Sequence, residues 1–395
     1  MKNLYHSDIY KFNTPVKSYW EETSNEKLNL EKLTKNINCE IVVVGGGYTG
    51  LLCAINLIEN YNLDVILIEA GKIGWGASSR NGGFCSFPPI KTSFKKLQKI
   101  YGKEETKKFF RNAVEGSNYT KDIISNYNID CDVTGESNFI VAHHPNKFKQ
   151  IKEQAEVYKS EFGIETELYS KEEFNKFGHG GNEQFGALSY KPGFAINPLK
   201  FVNGITKYAL SKKLKIFEHT LVDKINKNNG YYTLKSKEGS VKAKKVVVAT
   251  NGFYQEGLVP QLNSRILPVI SNIIVTRKLT DKEIDLHNFK TFSPIVNTKN
   301  LLYYYRKLPD NRILFGTRGD YIGSDQSNLD RAKIMEKFFK NIFPDWASIS
   351  IDYNWRGLIA MSQKLTPSIG KIENEEIYYG FGYHGVGVSS APWTG

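Results

Sequence analysis

The sequence predicts an α/β protein in two parts: a parallel sheet that opens on a glycine-rich turn, and a discontinuous α+β part built on an antiparallel sheet. Three observations carry this. Ile41-Val42-Val43-Val44 is an apolar run of strand length that feeds Gly45-Gly46-Gly47-Tyr48-Thr49-Gly50, and a continuous apolar run bounded by a turn signal marks a strand buried on both faces. A second run, Val246-Val247-Val248-Ala249, delivers another turn at Thr250-Asn251-Gly252. The segments 92–190 and 253–349 abandon the strand–helix alternation of a doubly wound sheet, which points to an inserted domain.

Residues 1–38 read as a polar leader that docks through Tyr19-Trp20. After the first strand, Leu51, Ala54, Ile55 and Ile58 recur at helical spacing. Asp64 to Ile68 form the second parallel strand, closed by Glu69. Residues 71–89 are too rich in Gly, Ser and Asn for a core element, and long loops in compact domains are usually functional. The pattern then predicts an amphipathic helix over 92–126, a strand over 132–141 and a charged helix over 145–162. Residues 190–198 cross back, and Pro198 takes the favourable first-turn position of a helix over 199–210. Strands follow at 215–224, 231–236 and 241–250, and antiparallel strands at 273–275, 301–306 and 312–315.

The G-x-G-x-x-G turn has a physical reading as a dinucleotide site. Gly45 lets the chain turn out of the strand, Gly47 lets backbone approach a pyrophosphate, and Gly50 lets the next helix pack closely. The pyrophosphate then sits at a helix N-terminus, where free amides and the macrodipole favour an anion. Glu69, nineteen positions beyond Gly50, can take a ribose hydroxyl pair and disfavours a 2′-phosphate. At this level NAD and FAD both remain open.

Composition narrows the class. The 395 residues are 40% hydrophobic and 24% charged, an ordinary globular balance with material for two domains. No apolar run approaches the roughly twenty residues of a membrane helix, and the leader has no apolar stretch like that of a secretory signal, so a cytoplasmic location is expected. The cysteines Cys39, Cys53, Cys85 and Cys131 have neither disulfide nor zinc spacing. Cys85, in the glycine-rich loop, is the one with a conceivable redox role. The net charge of +12 is spread as small lysine groups without an arginine-rich aromatic tract, so neither nucleic acid nor a metal is expected. The oligomeric state is left open.

Four segments together resemble one family. Gly45 to Gly50 with Glu69, then Gly74-Trp75-Gly76-Ala77-Ser78-Ser79-Arg80-Asn81-Gly82-Gly83, then Ala249-Thr250-Asn251-Gly252, then Gly380-Phe381-Gly382-Tyr383-His384-Gly385-Val386-Gly387 are similar to the D-amino-acid oxidase superfamily, and within it to the gamma-glutamylputrescine oxidase group. Ser18-Tyr19-Trp20, Tyr304-Tyr305-Arg306 and Trp355-Arg356-Gly357 also fit that group. The resemblance implies a Rossmann-like FAD-binding domain of three-layer β/β/α type, formed by residues 39–90, 191–255 and 350–395. A discontinuous α+β substrate domain would take 91–190 and 256–349. The late glycine loop supports FAD over NAD physically, because a reduced isoalloxazine needs donors along its pyrimidine edge.

The resemblance assigns FAD contacts to Gly45, Gly47, Tyr48, Thr49, Gly50, Glu69 and Ala70. It adds Ser78, Arg80, Asn81, Gly82 and Gly83 under the flavin, Val222 beside adenine, Thr250 and Gly252, and Gly382, Gly385, Val386 and Gly387 at the ring edge. Arg80 could bind pyrophosphate or a substrate carboxylate, or simply cap its loop. His384 is a flavin-edge neighbour or a loop histidine. No cysteine lies beyond Cys131 and the early loop has no histidine, so FAD is expected to be noncovalent. The chain stops at Gly395, where the family would begin the helix packed under the flavin, which would weaken FAD binding.

The activity implied is oxidation of a small-molecule amine or amino acid by hydride transfer from the α-carbon to flavin N5. Imine hydrolysis follows, with reoxidation by dioxygen to hydrogen peroxide. A carboxylate-bearing substrate wants an arginine with a hydroxyl beside it, and strand period puts Tyr304 and Arg306 on one face, Tyr303 and Tyr305 on the other. Tyr304, Arg306 and His384 are therefore the candidate catalytic residues. Arg277 is a secondary candidate at a position where the family tends to carry an acid. Three alternatives stay open: a dehydrogenase of the same fold using a quinone or carrier, an RNA-modifying flavoprotein module, and a nonenzymatic NAD-sensing module.

Overall fold

The computed structural model describes residues 4–24, 26, 28–87 and 94–395. The first three residues of the leader, the end of the expected loop at Pro89 and the expected helix start at Thr92 lie outside the described residues.

The strand Asn36–Val44 is central to a sheet ordered Ser368–Lys371, Ile377–Phe381, Ser240–Val248, Asn36–Val44, Val65–Ile68, Lys215–Phe217. Along this order every pairing is parallel except that of the edge strand Ser368–Lys371, and off it Tyr231–Lys235 pairs antiparallel with the start of Ser240–Val248. Strand period two divides the first apolar run between two cores. Ile41 and Val43 pack with Leu51, Leu52 and Ile55 of the helix Tyr48–Tyr61 and with Phe201 and Ile205 of Pro198–Ser211. Val42 and Val44 face Tyr232 and Leu234 on the antiparallel hairpin Lys224–Asn228 and Tyr231–Lys235. Helices, parallel sheet and hairpin make the three expected layers.

The second sheet runs Ile351–Ser362, Ile266–Thr276, Ile313–Arg318, Tyr304–Lys307, Ile295–Asn297, Asn138–Val141, Ala187–Tyr190, Thr166–Tyr169. It is antiparallel except between Ile295–Asn297 and Asn138–Val141. This corrects the expected partition. Residues 351–362, grouped in sequence with the first sheet, pair along their length with Ile266–Thr276, because an apolar strand joins whichever sheet edge the tertiary path brings to it.

Local boundaries shift where left-handed residues intervene. The expected strand over 132–141 is reduced to Asn138–Val141, since Asp132 and Gly135 have positive φ. The expected strand over 215–224 splits into Lys215–Phe217 and Lys224–Asn228 around the positive-φ His219. Phe94–Tyr101 and Lys103–Asn126 are two helices divided at Gly102, φ +81°. The helix Pro145–Phe162 forms as expected, with His144 as its N-cap. A helix expected only beyond Gly395 is already present as Gly387–Thr394. It is fastened through Thr49 Oγ1, which bonds the Tyr383 hydroxyl at 2.6 Å and the Ala391 carbonyl at 3.1 Å. Thr120 Oγ1 adds a bond to the Val388 carbonyl at 3.1 Å.

Candidate active site

One long cleft runs along the carboxyl edge of the parallel sheet. Gly45, Gly47, Tyr48 and Thr49 line it at the end of the first strand, Glu69 and Ala70 at the end of the second. Ser78 and Asn81 line it from the 74–83 loop, Thr220 and Val222 from the segment before the hairpin, and Thr250 from the second apolar strand. His384, Gly385 and Gly387 close the far end.

The turn is shaped by steric limits. Gly45 has φ +112°, and a Cβ there would lie 2.7 Å from the Ala249 carbonyl oxygen, so no other residue fits without moving the neighbouring strand. Gly47 is the N-cap of Tyr48–Tyr61 and has no side chain to spend on the amides of the first turn. Ser78 Oγ accepts the Tyr48 N–H at 3.1 Å, tying the 74–83 loop to this turn. Glu69 accepts the Gly46 amide at 2.7 Å on one oxygen and the Gly71 amide at 2.9 Å on the other. Burial pushes its carboxyl upward while those amides hold it down.

Other expected contacts stand back from the cleft wall. Arg80 lays its guanidinium 3.9 Å over the Trp75 ring and donates to the Trp75 carbonyl at 2.6 Å and the Arg356 carbonyl at 3.3 Å. In this arrangement it caps its own loop. Gly50 faces the Gly45 carbonyl and Gly252 faces Leu358. Gly382 donates its amide to Asn251 Oδ1 at 3.0 Å. Val386 is buried, with its amide bonded to the Tyr383 carbonyl. Gly82 and Gly83 abut Tyr304 and Arg306, respectively.

Tyr304 and Arg306 do share the face that period two assigned them. Tyr304 bonds Ser271 Oγ at 2.9 Å and meets Phe84 edge-on, while Tyr303 and Tyr305 belong to the core on the opposite side. Arg306 is 1% exposed; Nη2 donates to the Ile196 carbonyl at 2.6 Å and Nε has no partner. Arg277 is paired at two points with Glu283, at 2.6 and 3.0 Å.

His384 accepts the Ser362 amide on Nε2 at 3.2 Å, and burial lowers its pKa to about 4. Its ring is neutral across the physiological range. Between pH 6.5 and 4 the unfolded chain binds this proton and the folded chain does not, so stability falls as pH drops through that window. His179, lowered to about 3 by full burial, adds to the same effect. Glu218, raised to about 7 by burial, opposes this by taking up its proton in the folded chain first, so the expected outcome is a difference: His384→Gln loses less melting temperature than wild type between pH 6.5 and 4.

Cys85 has no redox role in this arrangement. It is fully buried in the helix-side core, and burial pushes its thiol up to about 12. Among the described residues no group of three His, Cys, Asp or Glu is placed to hold a metal ion, and no helix is long and apolar enough to cross a membrane.

The cleft also tests the cofactor. Thr250 Oγ1 is buried at its wall with no partner, an acceptor and donor left for a guest. With Glu69 ready for ribose hydroxyls and an uncapped helix terminus for pyrophosphate, the residues fit a flavin dinucleotide. The family described as DAO, FAD dependent oxidoreductase, matches residues 40–395.

The chain belongs to the DAO family of FAD-dependent oxidoreductases.

It is 29% identical over 382 residues to gamma-glutamylputrescine oxidoreductase of Escherichia coli (strain K12), covering 96% of this chain and 87% of that protein. Among solved structures it is similar to glycine oxidase from Geobacillus kaustophilus, with a TM-score of 0.73 at 16% identity, covering 90% of this chain and 92% of that one. L-proline dehydrogenase from P. horikoshii gives 0.71 at 20% identity, covering 92% and 91%. The fold is that of the DAO flavoenzymes, the cofactor is FAD, and the protein is an enzyme of this class.

Sequence reasoning missed several cleft residues of this DAO enzyme: Phe12, Trp75, Phe253, the Leu358 to Ala360 edge and Tyr383. Aromatic residues beside glycine turns were the available signal for Trp75, Phe253 and Tyr383. Phe12 had none, because nothing local ties the leader to the cleft.

Proposed function

We propose that this enzyme oxidises the carbon–nitrogen bond of a small amine or amino acid that carries a carboxylate, with dioxygen as electron acceptor and hydrogen peroxide as product. The observation that carries this reading is Arg306, a buried guanidinium set behind Gly83 at the end of the cleft loop, which makes no ion pair among the described residues and whose Nε has no partner. A buried charge without a counter-ion is costly, and burial already lowers its pKa. A substrate carboxylate meeting it, with the Tyr304 hydroxyl alongside, relieves that cost through charge-assisted hydrogen bonds. The reading agrees with the name of the Escherichia coli relative, whose γ-glutamyl amine substrate has both an amine and a carboxylate.

When bound, noncovalent FAD supplies the two-electron acceptor. The chain's own part is positioning: Arg306 and Tyr304 hold one end of the substrate, which leaves the α-carbon oriented for reaction. His384 is a neutral polar contact at pH 7 whose Nε2 already accepts the Ser362 amide. Hydride loss from the α-carbon needs an amine with a free lone pair, so the reacting form is the unprotonated amine. In steady-state assays kcat/KM is expected to rise with pH to a plateau set by the substrate's own amine pKa, and His384→Gln to leave that pKa in place.

The test is a panel of γ-glutamyl amines, polyamines, N-methyl amino acids and D-amino acids, read anaerobically by flavin bleaching and aerobically by peroxide. No bleaching by any member would end the amine-oxidation reading. Bleaching followed by slow recovery in air would make the enzyme a dehydrogenase.

A further inference from the structure

The leader does more than dock through Tyr19 and Trp20. Phe12 lies in the cleft wall, its ring 4.9 Å from Trp75 and 6.3 Å from Phe253, both of which line the same cleft. A second, surface cavity bounded by Lys11, Asn13 and His219 shares Phe12, Ala70, Thr220 and Leu221 with the cleft. Phe12 is the leader's contribution to the wall between the cleft and the surface, at the end marked by Glu69 and Val222.

We propose that Phe12 is a cofactor-contacting residue, and that the leader is a strap whose closure and FAD occupancy stabilise one another. The inference rests on the cofactor and is independent of which amine is oxidised.

The strap is fastened on both sides of Phe12. Before it, the Tyr5 hydroxyl donates to the Pro268 carbonyl at 2.7 Å, the His6 amide to the Ile322 carbonyl at 2.9 Å, and Asp8 accepts the Asp325 amide at 2.9 Å. These three partners lie in or beside the second sheet. After it, Trp75 Nε1 donates to the Thr14 carbonyl at 2.8 Å, and Trp20 Nε1 donates to the Asn81 carbonyl at 3.0 Å. Both partners belong to the 74–83 loop. The leader therefore spans from the substrate sheet to the cofactor loop, and Phe12 is the side chain it presents to the cleft between those fastenings.

The Phe12 ring is only half-buried, although it has two aromatic neighbours. A flat apolar face left at the wall of a dinucleotide cleft gains most from a flat guest, since aromatic contacts add to the gain from burial. Between the buried anchors Ile9 and Tyr19 the segment from Lys11 to Lys17 is mostly exposed, so its closed form depends on what it closes over. A ligand that binds the closed form better must stabilise it, and the closed strap must slow the ligand's escape.

The experiment compares wild type, Phe12→Ala and Phe12→Tyr. Limited trypsin digestion reads the strap at the exposed Lys11 and Lys17, with and without FAD; FAD titration of the stripped protein reads affinity. Stripping FAD is expected to speed leader cleavage at least tenfold in wild type. F12A is expected to weaken FAD binding about tenfold and hasten its loss, whereas F12Y, which keeps the ring, behaves as wild type. An unchanged melting temperature of stripped F12A distinguishes a lost contact from a damaged fold. Leader cleavage indifferent to FAD, or an F12A affinity within threefold of wild type, would overturn the proposal.

Discussion

Gly50→Ala is expected to yield a protein that no longer retains FAD through purification. A Cβ at Gly50 would lie 1.9 Å from the Gly45 carbonyl oxygen and 3.1 Å from its carbon. Both are backbone atoms of the turn itself, so the collision cannot be relieved by a side-chain rotation. The helix Tyr48–Tyr61 must move off the strand, and with it the open amides that face the cleft. Overpacking of this kind costs about 1–3 kcal/mol; borne by the FAD-binding geometry, that is a Kd roughly five- to 150-fold weaker. The damage extends to the chain's end, because Thr49 in the same turn holds Tyr383 and Ala391. Titration of the stripped variant with FAD, followed by flavin fluorescence, checks this. An affinity within threefold of wild type would show that the strand–helix fit is not what presents the turn.

Arg306→Met is expected to do the opposite, keeping the flavin and losing the substrate. Methionine matches much of the arginine stem in volume, and the site is buried beside Trp20, whose ring lies 5.3 Å from the guanidinium carbon. Removing an isolated buried charge costs the fold little, and such replacements are often neutral or stabilising. FAD content and melting temperature should therefore equal or exceed those of wild type. For carboxylate-bearing substrates, the loss of a buried charge-assisted partner is worth about 2–5 kcal/mol, a fall in kcat/KM of roughly 30- to 5000-fold. Amines without a carboxylate should lose far less. Equal losses for both classes would remove Arg306 from substrate recognition and assign it to folding alone.

The legible parts of this protein share one trait: their physics is short-range. The alternation of Ile41 and Val43 against Val42 and Val44 marked a two-sided strand before any partner was known, and both faces are covered. The same holds for the glycine turn, for Glu69 bonded back to Gly46, and for the strand face shared by Tyr304 and Arg306. Boundaries slipped where one left-handed residue, His219 or Asp132, turned a chain that reads as extended. Arg80 illustrates a different loss. Its place in the loop was right, yet whether its charge faces the cleft or the Trp75 ring depends on packing that includes Arg356, far along the chain.

The sequence by itself determined the dinucleotide turn, the acid after the second strand, the two-domain α/β and α+β character and the family to which these point. The turn and the acid rest on a motif contained within some thirty residues, and the family and domain character on several such local patterns taken together. Only the tertiary structure decided that residues 351–362 join the substrate sheet, that Gly387–Thr394 locks onto the glycine turn through Thr49, and that the leader brings Phe12 to the cofactor cleft. Those contacts join residues far apart in sequence, and a hydrogen bond or ring contact across such a separation leaves no pattern in either partner's local sequence.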